Sequence, residues 1–184
     1  MVGGDAQVRF EDFASKNRII TFRRDNLDVK NWSGYVDTGL STHAEKLRTM
    51  ACFLKCDAAS LACSKGHFRE IIAKSKSCTG FELLLKDEHV QTYLMGGTGT
   101  TVNAINGPKL SPGEWTHLAA THNGPSSRLR LYVNGVLHQE RAAPSVIADP
   151  GGNVKIGAWS GRHQGLRLLR GHVMHVQIEV TCQF

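Results

Sequence analysis

The sequence predicts an all-β fold, a two-sheet antiparallel sandwich, and three observations carry that prediction. Runs with period-two apolar alternation recur along the chain, tight-turn signals separate them, and there is scarcely a helix-like stretch among about a dozen strand-like ones. The clearest run is Arg128 to Val133, where Leu129, Leu131 and Val133 alternate with Arg128, Arg130 and Tyr132. That pattern buries one face and wets the other. Asn134-Gly135 then supplies the positive backbone angles of a two-residue hairpin turn, and Val136 to Gln139 reads as the returning strand.

The other elements follow in chain order. Residues 1–17 are a lead-in, and Arg18 to Arg24 (RIITFRR) has the β-branched and aromatic content of a strand. Gly34 to Ser41 alternates as a second early strand. Leu47 to Lys55 sets Met50, Cys52 and Leu54 on one side and Ala51 and Phe53 on the other, as a central buried strand does. Residues 57–67, rich in Ala and Ser, read as a surface excursion with a short helical turn. Phe68 to Lys74 resumes a strand, and Gly80 to Lys86 pairs with His89 to Met95 across Asp87-Glu88. Gly96 to Gly99 and Asn106 to Pro112 are turn clusters around a short strand, Thr100 to Ile105. Trp115, Leu118 and Ala120 supply the apolar bulk of the next strand, and Ala142 to Gly152 is a loop. Gly171 to Cys182 closes the fold, with Met174, Val176, Ile178 and Val180 on one face. The predicted core is Leu129, Leu131, Val133, Met174, Val176 and Ile178.

At 184 residues the chain is read as one domain, 1–184, with no repeat or linker to divide it. Its 22 basic against 16 acidic residues give a formal charge of +6, which serves solubility or attraction to polyanions. The interleaved aromatic and basic pattern of a nucleic-acid-binding sheet is missing, as is a basic helix, so nucleic acid is not an expected partner. The chain has no apolar run of eighteen residues, so membrane insertion is not expected either. The start has no signal-peptide stretch: the expected compartment is cytosolic if Met1 is the native start, and extracellular if the chain is a domain of a larger protein. Five cysteines, Cys52, Cys56, Cys63, Cys78 and Cys182, leave at least one unpaired within the chain. Cys52 reads as a buried free thiol; Cys56, Cys63 and Cys78 flank a loop and offer one local disulfide under oxidising conditions, and Cys63, His67 and Cys78 lie near enough to keep metal binding open.

The stretch GEWTHLAATHNGPSSRLRLYVNG, residues 113–135, followed by NVKIGAW at 153–159, resembles the laminin G-like and concanavalin A-like lectin family. The resemblance extends through residues 34–40, 50–55, IIAKS at 71–75, 81–86 and 169–180. It implies a concanavalin A-like jelly roll, and a binding fold that serves as an enzyme scaffold only in some branches. Relatives commonly place an aromatic-Asp-Gly turn after the Trp strand; here Thr121-His122-Asn123-Gly124 lacks that carboxylate. Relatives often carry acidic residues in the closing strand, where this chain reads Gly171-His172-Val173-Met174-His175.

Catalysis is not expected. Retaining glycanases need two carboxylates about 5 Å apart on one side of a sugar bond. The chain has no Glu-x-Asp-x-x-Glu, and its adjacent pairs Glu11-Asp12 and Asp87-Glu88 point to opposite faces when extended. It also has no Gly-x-Ser-x-Gly elbow, and Gly96-Gly97-Thr98-Gly99 lacks the Lys and helix of a phosphate loop. His117, His122 and His175 read as solvated strand-face residues. For calcium, Asp149 is the anchor, with Asn123 and Asn106 as companions; the alternative is turn capping by all three. The candidate ligand-binding surface is basic: Arg128 and Arg130 beside Tyr132, joined by Arg162, His163, Arg167 and Arg170. Guanidinium forks suit carboxylate and sulfate, and edge protection by solvated charge is the rival reading. The expected function is non-catalytic recognition of a glycan, or of a glycosylated or acidic protein, within a larger protein or assembly. The alternative is a structural protein–protein interaction subunit.

Overall fold

The computed structural model of the protein describes residues 2–3, 9–13, 17–22, 35–41, 47–62, 64–76, 79–96, 102–159 and 169–180. They form two seven-stranded antiparallel sheets. The first runs β1 (Val2–Gly3), β4 (Tyr35–Asp37), β13 (Lys155–Ile156), β6 (Phe68–Lys76), β7 (Thr79–Lys86), β8 (His89–Gly96), β9 (Val102–Lys109). The second runs β12 (Val136–Ala142), β11 (Arg128–Val133), β10 (Thr116–Asn123), β5 (Leu47–Lys55), β14 (Gly171–Val180), β3 (Asn17–Phe22), β2 (Arg9–Phe13). One short helix, α1 (Ala58–Ala62), joins β5 to β6.

The inner faces make one core. Met50, Cys52 and Leu54 of β5, Leu118 and Ala120 of β10, and Leu129 and Leu131 of β11 meet Ile72, Phe81, Leu83, Leu85, Val90, Leu94 and Ile105 of the other sheet. Each large apolar side chain buried this way contributes about 1.5–3 kcal/mol. Cys52 and Cys56 are free, buried thiols, and burial pushes both up to about 12, so both stay protonated and unreactive. Cys63, Cys78 and Cys182, and with them the disulfide and metal options, lie outside the described residues.

Both predicted hairpins form. Asn134 and Gly135 take φ of 51° and 79°, and Asp87 and Glu88 take 51° and 68°. Two consecutive non-glycine residues in the left-handed region are strained, and the Asp87-Glu88 turn is held from outside. Ser64 Oγ accepts the Glu88 N–H at 2.6 Å, and the Asp87 carboxylate accepts the Gly66 N–H at 2.7 Å.

That clamp comes from residues 57–67, which are therefore more than a surface excursion: Leu61 and Ser64 are buried, and Leu61 joins the core. The lead-in is also structured, adding β1 against β4 and β2 against β3. The strand continues through Asn106-Gly107-Pro108 to Lys109, where a turn was expected, and Gly107 is required in it, since a Cβ there would come within 2.6 Å of Val90 Cγ1. The last strand departs most. A bulge at His175, φ 50°, sets Met174 opposite Phe53 but Gln177 opposite Ala51. One extra residue reverses the facing, so the alternation read across it is out of phase. Val173 is fully buried and Met174 is not a core residue, while Val176 and Ile178 pack inward as expected.

Candidate functional site

Alternation and register fix what the outer face of the second sheet presents. Thr121 stands opposite Arg130 on one side and Thr49 on the other; Ala119 opposite Tyr132 and Ala51; His117 opposite Phe53. Arg128 and Arg130 do lie on one face with Tyr132. Glu140 of β12 reaches between them: its carboxylate lies 3.5 Å from Arg128 Nε and accepts a 2.5 Å hydrogen bond from Arg130 Nε. Hydrogen bonding to Glu140 raises the Arg130 pKa further, and two guanidiniums sharing one carboxylate leave a single net positive charge. Because β12 covers that side of β11, these arginines do not guard a free sheet edge, the rival role expected for them.

Beside them opens a depression of about 510 Å³ lined by Arg48, Thr49, Thr121, His122, Asn123, Pro125, Arg130 and Tyr132. The loop after β10 shapes its rim. Asn123 Oδ1 accepts the Ser126 N–H at 3.1 Å, and Gly124 packs so closely that a Cβ would lie 2.7 Å from the Ser145 carbonyl oxygen and 3.1 Å from Arg48 Nη1. On the far side, Thr49 Oγ1 donates to Glu179 Oε2 at 2.7 Å.

His122 is not a solvated strand residue. It is 1% exposed, its ring contacts Phe81, and Nε2 lies 2.9 Å from the Pro144 carbonyl oxygen. A carbonyl only accepts, so Nε2 carries the proton and Nδ1 is left as a buried acceptor with no hydrogen-bond partner. Burial, seconded by Arg48, holds the imidazole pKa below its ordinary value, against the opposing Pro144 contact. His117 is half-buried against Phe53, and His175 alone of the three is exposed.

The remaining predicted site residues fall elsewhere. Arg170 precedes β14 at the end where His172 pairs with Lys55, whereas Arg130 shares a row with Thr49, six residues back along β5. At 3.4 Å per residue that separation is about 20 Å, so Arg170 does not join Arg128 and Arg130. Arg162, His163 and Arg167 lie outside the described residues. Of the calcium candidates, Asp149 Oδ1 is 3.4 Å from the buried Lys74 Nζ, which also donates to the Gly152 carbonyl at 2.5 Å. Asn123 is occupied in its turn, and Asn106 is exposed on β9 opposite Gln91. An ammonium and two separate local roles thus stand where convergent metal ligands were expected. Among the described residues no group of three or more His, Cys, Asp or Glu is placed to hold a metal, and no helix is long and apolar enough to cross a membrane.

Arg48, Thr49, Thr121 and His122 were missed as site residues. Parity makes Thr49 and Thr121 legible as outward-facing, but only the β5–β10–β11 register puts them beside Arg130.

The architecture is an all-β sandwich with an open depression beside the outer face of one sheet. The sequence pattern of the concanavalin A-like lectin/glucanases superfamily matches residues 29–179, and the chain belongs to that superfamily. None of the curated proteins is similar to it in sequence. Among solved structures it resembles the carbohydrate-binding module CBM40 of the Ruminococcus gnavus IT-sialidase bound to α2,3-sialyllactose, at 14% identity and TM-score 0.56, covering 75% of this chain and 78% of that one. It also resembles a native heptameric SAP-like pentraxin from Limulus polyphemus, at 14% identity and TM-score 0.61, covering 90% and 77%. The third is the botulinum neurotoxin serotype D ligand-binding domain in complex with N-acetylneuraminic acid, at 12% identity and TM-score 0.64; all of this chain matches 43% of that one. The chain thus spans less than half the length of the toxin domain. At these identities the likeness is one of fold.

Proposed function

We propose that this chain is a non-catalytic carbohydrate-recognition module that favours acidic glycans. The observation that carries the proposal is the depression, which Arg48, Arg130, Thr49, Thr121 and Tyr132 line together. Guanidinium groups suit carboxylates and sulfates, hydroxyls exchange hydrogen bonds with sugar hydroxyls, and a ring supplies the apolar contact that fixes orientation. Superfamily membership supports it, as do the glycans bound by two of the neighbours. The lack of a carboxylate pair in the glycanase pattern supports a binding role over a catalytic one. The expected result on a glycan array is binding to sulfated or sialylated glycans over neutral ones, weakening as salt rises, since exposed charges are screened over about 8–10 Å. Arg128→Gln with Arg130→Gln removes that preference while Tm stays close to wild type; equal binding of neutral and acidic glycans defeats the proposal. A parallel array with chelator tests whether calcium takes part. A protein-interaction platform is the second reading, favoured by the exposed Val136 and Leu137 at the β11–β12 tip; it predicts no glycan binding at all.

A further inference from the structure

The rows of the outer face continue beyond the depression. One step along the strands from Thr49 and Thr121 lie the small side chains of Ala51 and Ala119, flanked by Tyr132 and by Gln177. A step further lie Phe53 and His117, ring centroids 4.9 Å apart, with His175 edge-on to the same Phe53 at 5.9 Å. The two alanines are almost unexposed although their outward neighbours Gln177 and His175 are open to solvent, which makes their row a recess between taller rows. Rows two residues apart are separated by about 7 Å, so the Thr row and the ring row lie about 14 Å apart. That is longer than one pyranose.

We infer that the site is extended: the ligand is an oligosaccharide of at least three units, its acidic terminal residue in the depression and its chain lying across Ala51 and Ala119 to stack on Phe53 and His117. The inference rests on the carbohydrate reading above. Charge sets the polarity of binding, because Arg48, Arg128 and Arg130 outnumber Glu140 and Glu179 at the depression end, while the other end presents the rings of Phe53 and His117, which suit the apolar face of a neutral sugar. The alanine row explains itself on the same terms: any larger side chain at position 51 or 119 blocks passage from one end to the other.

The test is calorimetric titration of the full chain with N-acetylneuraminic acid and with α2,3-sialyllactose, a monosaccharide and a trisaccharide sharing the acidic terminus. Wild type is expected to bind the trisaccharide at least tenfold more tightly. Phe53→Leu, which keeps apolar bulk and removes the ring, combined with His117→Gln, is expected to bring trisaccharide affinity down to the monosaccharide level and leave monosaccharide affinity unchanged. Ala51→Leu, on an independent position, is expected to do the same. Equal wild-type affinity for the two sugars, or equal loss of both in the ring variant, overturns the extended site and leaves the carbohydrate reading standing. Binding of neither sugar by wild type overturns the extended site as stated, and if the array is also blank the carbohydrate reading falls with it.

Discussion

The hairpins β7–β8 and β11–β12 turn on the same two-residue geometry with positive φ at both positions, yet they have opposite fates. In β7 six consecutive residues are buried, with polar Glu82 among them, while every residue of β12 is exposed. Turn chemistry sets the reversal and the register; position in the sheet sets what the strands may carry. The buried hairpin must satisfy its polar groups internally, and does: Ser75 Oγ donates to the Glu82 carboxylate and Thr92 Oγ1 donates to the Glu82 carbonyl at 2.9 Å. On the outer face of β11 and β12, whose inner face still buries Leu129 and Leu131, Arg130 pairs with Glu140 at the protein surface, where such pairs contribute little to stability.

Substitutions should separate the two hairpins, and the largest effect is expected in the buried one. Phe81→Ala on β7 is expected to cost about 3–5 kcal/mol in denaturant unfolding, as for any fully buried Phe whose loss leaves a cavity. Between the hairpins, Gly107→Ala drives a methyl toward both Val90 Cγ1 and Leu131 Cδ2, at 2.6 and 2.7 Å, and overpacking of that kind is expected to cost about 1–3 kcal/mol. A smaller, pH-dependent effect belongs to His122. Its folded pKa is depressed, so below the unfolded imidazole value of about 6.5 the unfolded chain takes up a proton that the folded one refuses. Stability from this group is complete above that pH and declines as the pH falls toward the folded pKa; His122→Phe should flatten the decline in a series of melts from pH 8 to 5. At the exposed tip, Leu137→Lys is expected to change stability by less than about 0.5 kcal/mol, and a loss comparable to that of Phe81 would erase the contrast between the hairpins.

Much of the fold is legible in the chain because its signals are local. Strict alternation finds β11, apolar strand-like runs find β5, β7, β8 and β10, and Asn134-Gly135 and Asp87-Glu88 mark turns. Where a backbone irregularity intervenes, the local signal misleads. Nothing in Val173-Met174-His175-Val176 announces a bulge, and a one-residue slip exchanges the two faces, so Met174 and Val173 trade places. Residues 57–67 lack alternation, yet they enter the core because they close one end of the sandwich and clamp a strained turn.

The candidate site divides in the same way. That Arg128, Arg130 and Tyr132 share a face follows from sequence by itself, since side chains two apart on a strand always do. Tertiary structure alone decided what surrounds them. Thr49 and Thr121 reach Arg130 through strand pairing across 81 and 9 positions of chain. Glu140 draws down the arginine charge, His122 is buried by its contact with Phe81 and the Pro144 carbonyl, and Arg170 is carried to the far end of β14. The physical reason is range: backbone alternation and turn preference act within a few residues, whereas the neighbours that define charge, burial and a recess come from strands whose order in the sheet is set only when the whole core packs.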